Sequence, residues 1–172
     1  MNFVIRAPEL SDELLIKEYI VSMLNEPFRS PGDCGFLNYD TYKEWLDTMK
    51  RSEQSSCGSW CFAKAKEFIV VDTDEDEIAG MMNMRLEMND VVRNNIGHIS
   101  LSVTKPYRRI GLATSMIDYA KELYRELGVN EVVLLCSKDN KASKSLIESI
   151  NGKFVDKVKT MTDDLLRYII TI

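Results

Sequence analysis

Histidine is almost missing from this chain: His98 is the only one in 172 residues. Cysteine is sparse too, with Cys57 and Cys61 four apart and Cys34 and Cys136 remote from both. A zinc site needs about four convergent ligands, and no cluster of that kind is written here, so no metal is expected. Free thiols in a reducing compartment are the simpler reading. The phosphate-cradling patterns G-x-x-x-x-G-K-[ST] and G-x-G-x-x-G are both absent, which speaks against a nucleotide-binding protein. No apolar run approaches the length of a membrane span. The opening residues Met1-Asn2-Phe3-Val4-Ile5-Arg6 resemble neither a signal nor a transit peptide. A cytoplasmic protein without membrane contact is expected. Excess basic charge is also lacking. The net charge is −5 and the sequence pI about 5.0, which argues against a nucleic-acid partner and tolerates a cationic amine.

What is present fits one domain over residues 1–172, with 45% hydrophobic and 28% charged residues. Phe3 to Arg6 reads as a first strand ended by Pro8. Ser11 or Asp12 caps a helix reaching about Leu24, and Thr41-x-x-Glu44 forms a capping box for a second helix with the stripe Tyr42, Trp45, Leu46 and Met49. The loop between them is rich in aromatics: Phe28, Phe36 and Tyr39. A polar link over 52–59 precedes Trp60 and Phe62, which lead into a strand centred on 68–71. The charge run 72–77 reads as a solvated hairpin turn before a methionine-rich strand over 78–88. A polar link over 89–95 follows.

The centre of the chain is 96–127. A strand-like run over 96–103 enters a short turn with Lys105, Pro106 and Tyr107, then the basic step Arg108-Arg109-Ile110-Gly111-Leu112-Ala113. A long amphipathic helix follows, with Leu112, Met116, Ala120, Leu123 and Leu127 on its buried face. A strand that stops at a tight basic loop and restarts as a helix presents bare N–H groups and a positive dipole end. Both suit a phosphate or pyrophosphate. An apolar strand over 132–136, a helix over 140–150 aligned on Ala142, Leu146 and Ile150, and a closing antiparallel pair over 154–158 and 166–172 complete the chain. The predicted order is β-α-α-β-β-β-α-β-α-β-β, an α/β domain with a mixed, mostly antiparallel sheet flanked by helices.

The pattern Arg108-x-x-Gly111-x-Ala113 between strand and helix resembles the acyl-CoA pyrophosphate loop of the GNAT superfamily of N-acetyltransferases. Asn140 at a later helix start, with the exit Asn151-Gly152 into Phe154, is similar to that family's second signature. The resemblance is strong over 78–158 and topological before it. Gly97-His98-Ile99 and Arg167-Tyr168 look like a bacterial subgroup, a likeness silent on substrate. The resemblance implies an acetyl-CoA-dependent N-acetyltransferase acting on a primary amine that the sequence does not identify, whether a small amine, a drug or a protein amine, and a homodimer stays open. The alternative is a non-catalytic acyl-CoA-binding regulatory domain.

The resemblance also implies roles. Leu101, Ser102 and Val103 pair with pantetheine through backbone, and Arg108, Arg109, Ile110, Gly111, Leu112, Ala113 and Thr114 take the pyrophosphate. Asn140 and Ser143 lie near the pantetheine and sulfur. The family's Tyr seven residues after the Asn, proposed to protonate the leaving thiolate, is replaced by Ile147. An alkylammonium of pKa about 10.4 is only about one part in a thousand neutral at pH 7, so a base is useful. His98 and Glu87 are the candidates. Each also has a plain reading, His98 as a satisfied strand-end residue and Glu87 as a solvated rim charge.

Overall fold

Residues 73–77 are exposed, so the chain turns there and the apolar runs on either side pair, while Asp72, expected in the solvated turn, is instead buried at the end of the first run. In the computed structural model, which describes residues 1–28, 32–55, 63–160 and 164–172, this is the hairpin of β2 (Ala65–Asp72) and β3 (Glu77–Arg85), with Asp72 opposite Glu77. Around it come β1 (Phe3–Arg6), α1 (Glu13–Met23), α2 (Tyr42–Ser52), β4 (Ile99–Val103), α3 (Leu112–Glu126), β5 (Glu131–Ser137), α4 (Lys141–Ser149), β6 (Lys153–Lys159) and β7 (Asp164–Thr171). The order is the expected one. The sheet is not one continuous mixed sheet, however. It divides into two antiparallel sheets, β1-β2-β3-β4 and β5-β7-β6. The expected link over 52–59 lies partly, and the Trp60 and Phe62 lead-in wholly, outside the described residues.

Strands β2 and β3 are buried on both faces because helices cover both. Period-two alternation sends Ile69 and Met81 to the α1 and α2 side, where they meet Ile16, Tyr19, Ile20, Trp45 and Leu46. Phe68, Val70, Met82 and Met84 face the other way, into a core with Met116, Ile117, Ala120 and Tyr124 of α3. That second core continues through Val132, Leu134, Ile147 and Tyr168, so helices α3 and α4 join the two sheets. Phe36 packs edge-on against Trp45 at 5.4 Å, which makes part of the aromatic loop core rather than rim. No helix of the described residues is long and apolar enough to cross a membrane.

Local boundaries depart from the sequence reading where side-chain sterics win. The strand expected from Ile96 starts at Ile99, because residues 92–96 form a wide helical turn closed by Gly97 N–H donating to Val92 O at 2.7 Å. Strand β3 ends at Arg85, not Met88. On α3 the buried stripe passes through Tyr124 while Leu127, already beyond the helix, is exposed. On α4 Ala142 is exposed and Ile147 takes the buried place.

Gly97 and His98 close the seam between the sheets. His98 N–H donates to Val133 O at 2.7 Å, and Val133 N–H donates to His98 Nδ1 at 2.8 Å. The imidazole thus stands where a strand carbonyl would otherwise continue the ladder. Gly97 has φ +72 and ψ −179, a region nearly restricted to glycine, and an added Cβ would sit 3.0 Å from Val133 O. Gly97→Ala is therefore expected to destabilise the protein by roughly 3 kcal/mol. The denaturant midpoint reads it, and an unchanged midpoint would refute the tight seam.

Candidate active site

Beyond the seam, β4 and β5 part. Among the described residues no ladder pairs them. The crossover through α3 returns the chain to the end where β4 began, where His98 meets Val133, so both strands run the same way from that seam. Backbone groups on the facing edges call for partners. An extended ligand carrying amides is the natural one, since it adds like a strand. Leu101, Ser102 and Val103 lie on this stretch of β4.

Two helix starts flank the open end. The turn over 104–111 leads from β4 to α3, whose ladder begins with Ser115 N–H donating to Gly111 O at 3.0 Å. The N–H groups of Leu112, Ala113 and Thr114 precede that ladder and have no intrahelical acceptor. Arg109 and Gly111 hold positive φ, +67 and +88. Such residues turn successive N–H groups into an anion-binding concavity. An added Cβ at Gly111 would meet no described atom within 4 Å, so the space above the loop is open. These features fit a pyrophosphate.

The two arginines divide the work. Arg109 is exposed beside the loop. Arg108 is committed inward: its Nε donates to Val103 O at 2.9 Å and its guanidinium pairs with Glu26 at 2.9 Å. Lys105 joins the same carboxylate at 3.3 Å. Arg108, with Lys105 behind it, holds the Glu26 carboxyl below its ordinary range. Arg108 therefore fixes the loop to β4. At the second helix start Asn140 caps α4, its side chain accepting from Ser143 N–H at 3.0 Å.

The structure does not bring His98 and Glu87 to the open end. His98 lies before β4, five residues or roughly 16 Å of strand from Val103. It is 4% exposed, and burial first, then the charges of Arg85 and Arg93, depress its pKa from 6.5 to about 4. Glu87, exposed beyond the end of β3, accepts from Lys64 N–H at 3.1 Å. The sequence reading missed the polar groups on the α1–α2 side of the first sheet. Glu67, Asn83, Arg85 and Ser100 are all buried there. Ser102 Oγ lies 2.6 Å from Tyr19 Oη. One polar letter inside Met81-Met82-Asn83-Met84 was the available signal.

The model of the acetyltransferase (GNAT) family matches residues 21–152, and the chain belongs to that family. It is an N-acetyltransferase by that membership. No curated protein matches it in sequence. Among solved structures it is similar to the ribosomal-protein-S5-alanine acetyltransferase of Vibrio fischeri, at TM-score 0.73 and 15% identity, over 99% of this chain and 93% of that one. It is similar to a GNAT-family acetyltransferase of Streptococcus pneumoniae, at TM-score 0.69 and 20% identity, over 99% and 100%. A spermidine/spermine N-acetyltransferase of Vibrio cholerae gives TM-score 0.63 and 16% identity over 98% and 92%.

Proposed function

We propose that the protein transfers an acetyl group from acetyl-CoA to a primary amine. The observation that carries this reading is the missing ladder between β4 and β5 together with the start of α3, which no side chain caps. Backbone of Leu101, Ser102 and Val103 would pair with the pantetheine arm, and residues 108–114 would receive the pyrophosphate. Asn140 and Ser143 border the far side. A backbone N–H on β4 would donate to the carbonyl oxygen as it becomes anionic, a contribution of about 2.7–4 kcal/mol. The names of the similar structures point to a ribosomal-protein alanine and to spermidine and spermine, so the supporting likeness is to amine acetylation in general.

The proton balance is set by what the site lacks. Ile147 is buried at the position matched to the family's Tyr, so either another group protonates the leaving sulfur or the thiolate leaves unassisted. A thiol of pKa about 8.5 makes a thiolate able to leave near neutral pH without such a group. We read His98 as a seam residue rather than the base, because its basicity is low and Val133 N–H already occupies Nδ1. We read Glu87 as a rim carboxylate.

Ligand selectivity tests the proposal. Acetyl-CoA at a hundred times its dissociation constant stabilises by about 2.7 kcal/mol. For a chain of this size that is a rise in Tm of roughly 5–10 °C. ATP and NAD should leave Tm unchanged. Free thiol release with an amine library then reads turnover, and release with no amine in the library would favour the binding-only alternative.

A further inference from the structure

Asn83 stands on β3 with the fully buried Met82 and Met84 beside it in sequence, and is itself 1% exposed. Its Nδ2 donates to Glu67 Oε2 on β2 at 2.9 Å. Only the nitrogen of an amide can donate to a carboxylate, so the bond fixes which way the group points. Oδ1 is thereby turned away from Glu67, and it accepts no hydrogen bond among the described residues. A buried acceptor left without a donor costs about 1–3 kcal/mol, and in a native protein it calls for an explanation.

Position supplies one. Asn83 pairs across the sheet with Glu67 of β2 on one side and Ser100 of β4 on the other. Alternation puts this polar row on the face of Met81 and Ile69, under α1 and α2. The opposite face carries α3, whose start is the anion site. The row therefore reaches β4, the strand bordering the opening, from the side away from the pyrophosphate loop. Ser100 Oγ already accepts from Arg85 Nη1 at 2.7 Å, whereas Asn83 Oδ1, like Glu67 Oε1 beside it in the row, accepts no hydrogen bond among the described residues. Resting on the acetyl-transfer reading, we infer that Asn83 reads an N–H of the acceptor amine, and that Glu67 is the positioning residue that locks the amide. The substrate class is an alkylamine with free N–H groups; a quaternary ammonium of equal charge is rejected.

The test uses the full-length protein saturated with coenzyme A, titrated calorimetrically with 1,4-diaminobutane and with its bis-trimethylammonium analogue. The two probes carry the same charge, but only the first has N–H donors. The diamine should bind at least tenfold tighter. Asn83→Leu, close in volume, should bring the diamine down to the level of the analogue with coenzyme A affinity unchanged. Glu67→Gln frees the orientation of the Asn83 amide and should weaken the diamine severalfold, which keeps the test alive if the leucine variant does not fold. Equal binding of both probes, no diamine binding, or a preference that survives Asn83→Leu would overturn the inference, as a trapped water on Oδ1 would predict. Failure of coenzyme A to bind the wild type would instead overturn the acetyl-transfer reading itself.

Discussion

Ala113→Glu is expected to raise the dissociation constant for acetyl-CoA about a hundredfold, or ~2.8 kcal/mol, while the protein stays folded. Ala113 is the second residue of α3 and half-buried. Its N–H is one of the donors that precede the intrahelical ladder. A carboxylate there occupies the space of a phosphate and repels it. The same carboxylate at a helix start is favourable to the fold by about 0.3–1 kcal/mol, so loss of binding should not be loss of structure. Gly111 is the less clean position. Its φ of +88 suits glycine, and any side chain there adds backbone strain of about 1–2 kcal/mol that would blur the result. Calorimetric titration with acetyl-CoA, paired with thermal unfolding of the free variant, separates the two effects. Unchanged affinity in folded Ala113→Glu would remove this loop as the pyrophosphate site.

The strand-loop-helix at 96–127 was legible because three local signals agree there: an apolar run, a turn with Pro106 and Gly111, and a helical stripe. The strand boundary was misread because Ile96 is apolar like its neighbours, whereas Gly97 takes a backbone that breaks the strand. That choice is tertiary, since it is Val133 of a distant strand that leaves no room for a side chain. The split of the sheet is tertiary for the same reason. Nothing in the composition of β4 and β5 says that they part after one contact. The inward role of Arg108 depends on Glu26, 82 residues earlier, and could not be read from the loop alone. Asn83 was overlooked because the methionines around it were read together as adaptable packing, and one polar residue in such a run is informative only once both faces of β3 are known to be buried.

His98 decides between seam and base, and its two substitutions should part company. His98→Ala leaves Val133 N–H without an acceptor and removes a ring packed edge-on against Tyr124 at 5.4 Å. The orphaned donor and the cavity together should cost roughly 3 kcal/mol at pH 7.5. His98→Asn offers an amide oxygen close to the position of Nδ1, so it should lose less, roughly 1 kcal/mol. The pH dependence sharpens the contrast. The folded protein holds the imidazole neutral down to about pH 4, while the unfolded chain protonates it at about 6.5. Within that window the unfolded state binds the extra proton, so wild-type stability falls as pH falls from 6.5 to 4. At ~1.36 kcal/mol per pH unit this is roughly 3 kcal/mol. The asparagine variant has nothing to titrate there. It should match or exceed the wild type near pH 4.5 while trailing it at pH 7.5, in chemical denaturation at both values. Its kcat/KM profile with any amine found to turn over should keep the acid limb of the wild type. A variant that loses that limb while showing the wild-type dependence of stability on pH would return His98 to the chemistry and leave the seam to backbone alone.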